Sequence, residues 1–129
     1  MSYNINLPLK LVQYKRHSKI YEVKVLKLIV FIPLTHKEEV KAHLFTAGAG
    51  KQGVYDSCCF ETYGYGQFRP LKNSKPFLGE MGKIEYVKEA RVEFLCSPDK
   101  IKSIIKALKK IHPYEEPAFD VIKLENIDE

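Results

Sequence analysis

The apolar patterns along the chain predict an α+β fold of β-α-β-β-α-β order: a four-stranded antiparallel sheet with two helices on one face. Three observations carry this. The run Lys27-Leu28-Ile29-Val30-Phe31-Ile32 is continuously apolar after its first residue and ends at Pro33, as a central strand buried on both faces would. Two segments, after Thr35 and after Ser97, repeat apolar residues at helical spacing. The remaining apolar stretches, 54–68, 84–96 and 118–124, are rich in aromatic and β-branched residues.

In chain order, Tyr21 to Val25 alternates, so the first strand could begin before Lys27. Thr35-His36-Lys37-Glu38 has the Thr-x-x-Glu spacing of a capping box. The helix it opens carries Val40, Leu44 and Ala47 and should end at Gly48 through a left-handed cap. A strand-like stretch from Val54 to Phe68 follows, with Gly64 and Gly66 suggesting a bulge or a close backbone approach. The turn-rich 70–83 segment leads to a strand from Ile84 to Cys96, completing a long hairpin. Ser97-Pro98 reads as N-cap and first helical residue. The helix it starts presents Ile101, Ile104, Ile105, Leu108 and Ile111 on one side, with its lysines on the other. His112-Pro113 stops it, and 118–124 closes the sheet. This is the split βαβ, ferredoxin-like arrangement. The expected core is Leu28, Val30, Ile32, Val40, Leu44, Phe94, Ile101, Ile104, Ile105, Leu108 and Val121.

At 129 residues the chain suits one core. We divide it into a basic N-terminal extension, 1–24, and a ferredoxin-like domain, 25–129. Residues 1–27 hold six basic side chains against Glu22 alone, which accounts for the whole net charge of +5. A basic tail can touch nucleic acid or anionic lipid by charge alone, but a solvated terminal segment is the expected state. Nucleic acid and membrane are therefore not expected partners. No apolar run is long enough to span a bilayer, and no signal-peptide pattern opens the chain. Three cysteines, Cys58, Cys59 and Cys96, make a poor disulfide framework. A cytoplasmic protein with reduced thiols is expected.

Several groups could carry chemistry. Gly48-Ala49-Gly50-Lys51-Gln52-Gly53 matches GxGxxG in letters. Its glycines close a helix rather than open one, so the helix dipole there has the wrong sign for phosphate. A structural cap and turn is the expected role, and a small anion-binding nest using Gly50 and Lys51 is the alternative. His112-Pro113-Tyr114-Glu115-Glu116-Pro117 places a histidine and two carboxylates on one tight loop. These could bind metal or exchange protons, but neighbouring side chains in extended backbone point apart, which favours a recognition or packing loop. Cys58-Cys59 lacks C-x-x-C spacing, and alternation should bury one thiol in the core and turn the other to the opposite sheet face. His36 lies in a first helical turn, where protonation is disfavoured. No Ser-His-Asp order, no H-E-x-x-H and no DNA-reading motif is present.

Four motifs together, AGAGKQGVYDSCCF, GYGQFRPL, PFLGEMGKIEYVKEARVE and HPYEEPAFD, resemble the domain inserted in the middle of Nif-three/YqfO-type proteins, over about three quarters of the chain, Lys27 to Glu125. HPYEEP is also similar to the corresponding loop of the CutA divalent-ion-tolerance family, and both resemble the PII-like trimeric ferredoxin fold. The resemblance implies a CutA/PII-like domain, here as a stand-alone chain. The dinuclear metal site of the full-length relatives lies in flanking α/β halves, so none of its ligands carries onto the matched residues. What carries over is the inserted domain's own features: His36, the Ala47–Gly53 turn, Tyr55, the Gly64–Pro70 segment with Arg69, and the His112–Pro117 loop.

The expected function is a non-catalytic binding or regulatory module with no cofactor. Its ligand-binding candidates are His36, Gly50, Lys51, Tyr55, Arg69, His112, Tyr114, Glu115 and Glu116, and its partner is a small molecule or a protein. The alternative is CutA-like divalent-ion binding through His36, Cys58 or Cys59, His112 and Glu115. An enzyme is disfavoured because no nucleophile, base and orienting group stand together. The aromatic hairpin edge, with Tyr55, Phe60, Tyr63, Tyr65 and Phe68, invites pairing with another chain, so a homo-oligomer is expected, a trimer first. A rival cap for that edge is the tail itself, folding back as a strand through residues 20–25.

Overall fold

A computed structural model describes residues 13–16, 19–22, 24–125 and 127. Its elements are β1 (Gln13–Arg16), β2 (Lys19–Glu22), β3 (Leu26–Pro33), a 3-10 turn (Leu34–His36), α1 (Lys37–Thr46), β4 (Phe60–Phe68), β5 (Glu85–Cys96), α2 (Ile101–Ile111) and β6 (Phe119–Lys123). From β3 onward the order is β-α-β-β-α-β. The four strands form one antiparallel sheet ordered β4-β5-β3-β6.

Strand alternation sorts the sheet into two faces. Leu26, Leu28, Val30 and Ile32 of β3 and Ala90, Val92, Phe94 and Cys96 of β5 cluster with Val40 and Leu44 of α1 and Ile101, Ile104, Ile105 and Leu108 of α2. Val121 of β6 joins them opposite Leu28. Both helices therefore cover one face, and every expected core residue is buried there. The alternating partners, among them Phe31, Phe68 and Glu89, point to the opposite face. β3 is a central strand between β5 and β6, and Ile29, on the face away from the helices, is buried as well.

α1 ends as expected. Gly48 takes φ +113°, its N–H reaches Phe45 O, and the Ala49 N–H reaches Leu44 O, a Schellman cap. Gly50, at φ +74°, donates to Leu95 O and accepts from the Cys58 N–H; a Cβ there would sit 2.3 Å from Cys58 O. The glycine-rich turn thus ties the end of α1 to β5.

Local readings needed correction. No capping box forms: α1 starts at Lys37 with His36 as N-cap and no side-chain cap, while Thr35 Oγ1 hydrogen-bonds His36 Nδ1 at 2.8 Å. The dipole is answered instead by Glu38 and Glu39 in the first turn. Ser97 and Pro98 begin a turn, closed by Lys100 N–H to Ser97 O, and α2 starts at Ile101. The strand expected from Val54 starts at Phe60, because 50–55 is committed to the tie onto β5 and to a Gln52–Tyr55 bridge. Gly64 and Gly66 make no bulge, since the β4–β5 ladder runs unbroken from Phe60–Glu93 to Phe68–Glu85. Residues 20–22 pair with β1 in a separate two-stranded sheet, Tyr14 opposite Tyr21, and do not extend β4. Residues 1–12, 17, 18 and 23 of the expected extension lie outside the described residues.

Candidate functional site

The 70–78 segment and the 112–118 loop rise on either side of one end of the sheet. Between them lies an open groove of about 490 Å³. Its floor holds Gly66 and Glu89, and its walls include Phe31, Phe68, Phe77 and Tyr114. Glu115 and Glu116 also line it.

The sequence builds the walls in recognisable steps. His112 caps α2, its N–H bonding Leu108 O, and the following proline turns the chain back. The His112 ring is buried. Its Nε2 lies 2.7 Å from Phe31 O, and its Nδ1 lies 3.1 Å from the Tyr114 N–H. A carbonyl only accepts and an amide only donates, so the ring is the neutral tautomer with its proton on Nε2. Burial, helped by nearby His36, lowers its pKa. His112 is therefore a latch between β3 and the loop, with both nitrogens engaged.

Tyr114 stacks around this latch, 4.9 Å from the His112 ring, 6.1 Å from Phe68 and 6.4 Å from Phe77 by ring centroids. His36 meets Phe77 edge-on at 5.2 Å, bracing it from behind. The Tyr114 hydroxyl donates to Glu89 Oε2 at 2.8 Å. Burial, then that carboxylate, pushes the phenol pKa well above its ordinary value. Glu115 Oε1 accepts the Lys75 backbone N–H at 2.9 Å, which joins the two walls.

Glu89 is the central group. It is only 9% exposed. A Cβ on Gly66 would lie 2.3 Å from its Oε1 and 2.6 Å from its Cδ. Gly66 does not take a positive φ, so the glycine there makes room for the carboxylate rather than for a turn.

Of the residues expected to bind, Tyr114, Glu115 and Glu116 line this groove, and His36 and His112 brace it. Arg69 is exposed beside it without lining it. Gly50, Lys51 and Tyr55 belong elsewhere. Gly50 binds Leu95, six residues along β5 from Glu89, or about 20 Å; Lys51 and Tyr55 are exposed near that end. Sequence reasoning missed Glu89, Phe31 and Phe77. The Gly64–Gly66 pair was the available signal, because a strand glycine can mark a close approach, and Gly66 is that approach.

Both vicinal thiols are half-buried. Cys59 packs on the core, as expected for one of the two, while Cys58 Sγ contacts Asp56 O in the turn before β4. Burial raises the Cys59 pKa and pushes Cys96 up to about 12. Among the described residues no three His, Cys, Asp or Glu side chains gather as a metal site. No described helix is long and apolar enough to cross a membrane. On the helix side, Glu61 of β4 receives Lys37 at 2.6 Å, Lys41 at 2.7 Å and the Tyr63 hydroxyl, pinning α1 over β4.

No protein-family model matches the chain. A Bacillus subtilis protein named GTP cyclohydrolase 1 type 2 homolog is 44% identical over 99 residues, 77% of this chain and 26% of the relative. The chain thus spans about a quarter of the length of the curated relatives it matches. Among solved structures, a Bacillus cereus protein related to NIF3 superposes with TM-score 0.69 at 40% identity, over 82% of this chain and 27% of that one. CutA1 from Pyrococcus horikoshii superposes with TM-score 0.58 over 81% of this chain and 87% of that one. At 19% identity it speaks for the fold alone.

Proposed function

Starting from a chain that carries a Nif-three-type domain with the ferredoxin-like fold of the CutA and PII kind, we propose that it works as a non-catalytic, self-assembling binding module of the cytoplasm. The observation that carries this is the groove beneath Tyr114. It has the concavity and aromatic lining of a ligand site, yet the histidine that braces it and the tyrosine that lines it are held in fixed contacts. His112 has both nitrogens engaged, and the Tyr114 proton is committed to Glu89. A general base needs a lone pair open to substrate, and neither residue offers one.

Assembly is supported by β4. It is an edge strand of nine residues, and Phe60, Tyr63 and Tyr65 on it are 65%, 58% and 74% exposed. Long aromatic edges associate unless covered. The 48–55 turn and the 112–117 loop lie at opposite ends of the sheet, so a cleft lined by both would have to be shared between two copies. A cyclic trimer leaves no edge open.

Native mass spectrometry with sedimentation at micromolar concentration tests this. A species of three times the 14.9 kDa chain mass is expected. A single species at the chain mass would sink the assembly.

A further inference from the structure

We propose that the groove is a site for a small organic cation, an amidinium, guanidinium or ammonium group on an apolar body, and that Glu89 is the carboxylate that anchors it. The inference rests on reading the domain as a binding module and names the ligand's chemistry.

Glu89 is buried to 9% exposure, yet its described contacts are few. Oε2 accepts the Tyr114 hydroxyl, and among the described residues Oε1 accepts no hydrogen bond and no cation pairs with either oxygen. A buried carboxylate is costly unless paired, and the oxygen without a donor belongs to a side chain that lines the groove floor. Gly66 keeps that position open, since any Cβ would displace the carboxylate.

The lining has one sign of charge. Glu89, Glu115 and Glu116 contribute, and no Lys, Arg or His side chain lines the groove. Phosphates and carboxylates are therefore poor occupants. A bare metal ion is a poor one too, because these carboxylates are not gathered as a ligand set. The walls decide for an organic cation. Phe31, Phe68, Phe77 and Tyr114 present aromatic surface around a carboxylate, which suits a charge delocalised on or attached to an apolar body. The volume of about 490 Å³ fits a small molecule.

Benzamidine is the probe, with benzamide as its neutral isostere and benzoate as its charge-reversed one. The intact protein is titrated and followed by amide chemical shifts. Benzamidine should saturate and move Gly66, Phe77 and Tyr114, and benzamide and benzoate should bind at least tenfold more weakly. Glu89→Gln should weaken benzamidine at least tenfold. Should that variant fail to fold, Phe77→Ala at the exposed lip should weaken it several-fold with an unchanged thermal melt. Equal binding of benzamide, or benzamidine binding unchanged in a folded variant, overturns the proposal. If Glu89→Gln instead changes the oligomer mass and benzamidine never binds, the groove holds a neighbouring copy's side chain and the proposal falls. A trimer that ignores benzamidine overturns this inference alone; a monomer that binds it overturns only the assembly.

Discussion

Gly66→Ala probes the relation between backbone and carboxylate on which the groove depends. Gly66 pairs with Val87 and lies diagonal to Glu89 across the β4–β5 ladder. The new methyl would fall 2.3 Å from Glu89 Oε1. The obstacle is the end of a flexible side chain, so the strand should hold and Glu89 should swing away. The swing breaks the 2.8 Å bond from the Tyr114 hydroxyl. Losing a hydrogen bond to a charged group costs about 1.5–3 kcal/mol, while replacing a strand glycine by alanine returns about 0.5–1 kcal/mol. The net is a loss of about 0.5–2.5 kcal/mol. It should appear in urea denaturation as a lower midpoint at unchanged slope. Tyr114→Phe removes the same bond directly, so in that background Gly66→Ala should cost at least about 1 kcal/mol less. If Gly66→Ala stabilises the protein, as at an ordinary strand glycine, or costs the same in both backgrounds, the carboxylate is not what the glycine accommodates.

Other outcomes follow from the core and the titrating groups. Ile105→Ala should cost about 2–5 kcal/mol by chemical denaturation; under about 0.5 kcal/mol would mean that α2 does not fill the core. Hydrogen bonds from Lys37, Lys41 and Tyr63 hold the Glu61 carboxyl down to about 2 from an ordinary 4.5. The folded value is the lower one, so the stabilisation is present above pH 4.5 and drains as pH falls toward 2. Thermal melts across that window should show a shallower acid limb for Glu61→Gln, and parallel limbs would contradict the network. The His112 pKa is lowered from 6.5, so the unfolded chain takes up a proton first and stability should fall as pH drops below that value. The limb should flatten in His112→Gln, and an unchanged limb would place the effect elsewhere. With its thiol buried and pushed up to about 12, Cys96 should react with a thiol reagent only after unfolding; three thiols reacting at once in the native protein would refute its burial.

What could be read early depended on the range of the interactions. Val40 and Leu44, or Ile101, Ile104, Ile105 and Leu108, report a helix face because four residues bring a side chain back to the same side. The Gly48 cap was legible for the same reason. Misreadings arose where a competing partner, near or far, won. Thr35 turned to its neighbour His36 while Glu38 joined the charge network on α1, and Gly50 was taken by Leu95, 45 residues away. Of the candidate site, the HPYEEP loop was visible as a cluster of chemistry-bearing residues, but His112 proved a latch and Glu89 went unseen. Nothing in Lys88-Glu89-Ala90 distinguishes a buried carboxylate from the half-buried ones, Glu85 and Glu93, along the same strand.

The linear order of residues by itself determined the element succession, the helix stripes and the core, because apolar periodicity is a local property that burial converts into layers. It also determined the excess positive charge near the N-terminus. Tertiary structure alone decided that Phe31, Gly66, Phe77, Glu89 and Tyr114 surround one groove, and that the 48–55 turn lies at the other end of the sheet. Those residues come from three strands and two loops, separated by up to 83 positions. Their meeting depends on strand register and on the His112–Phe31 contact, which are long-range choices that no single window of sequence contains.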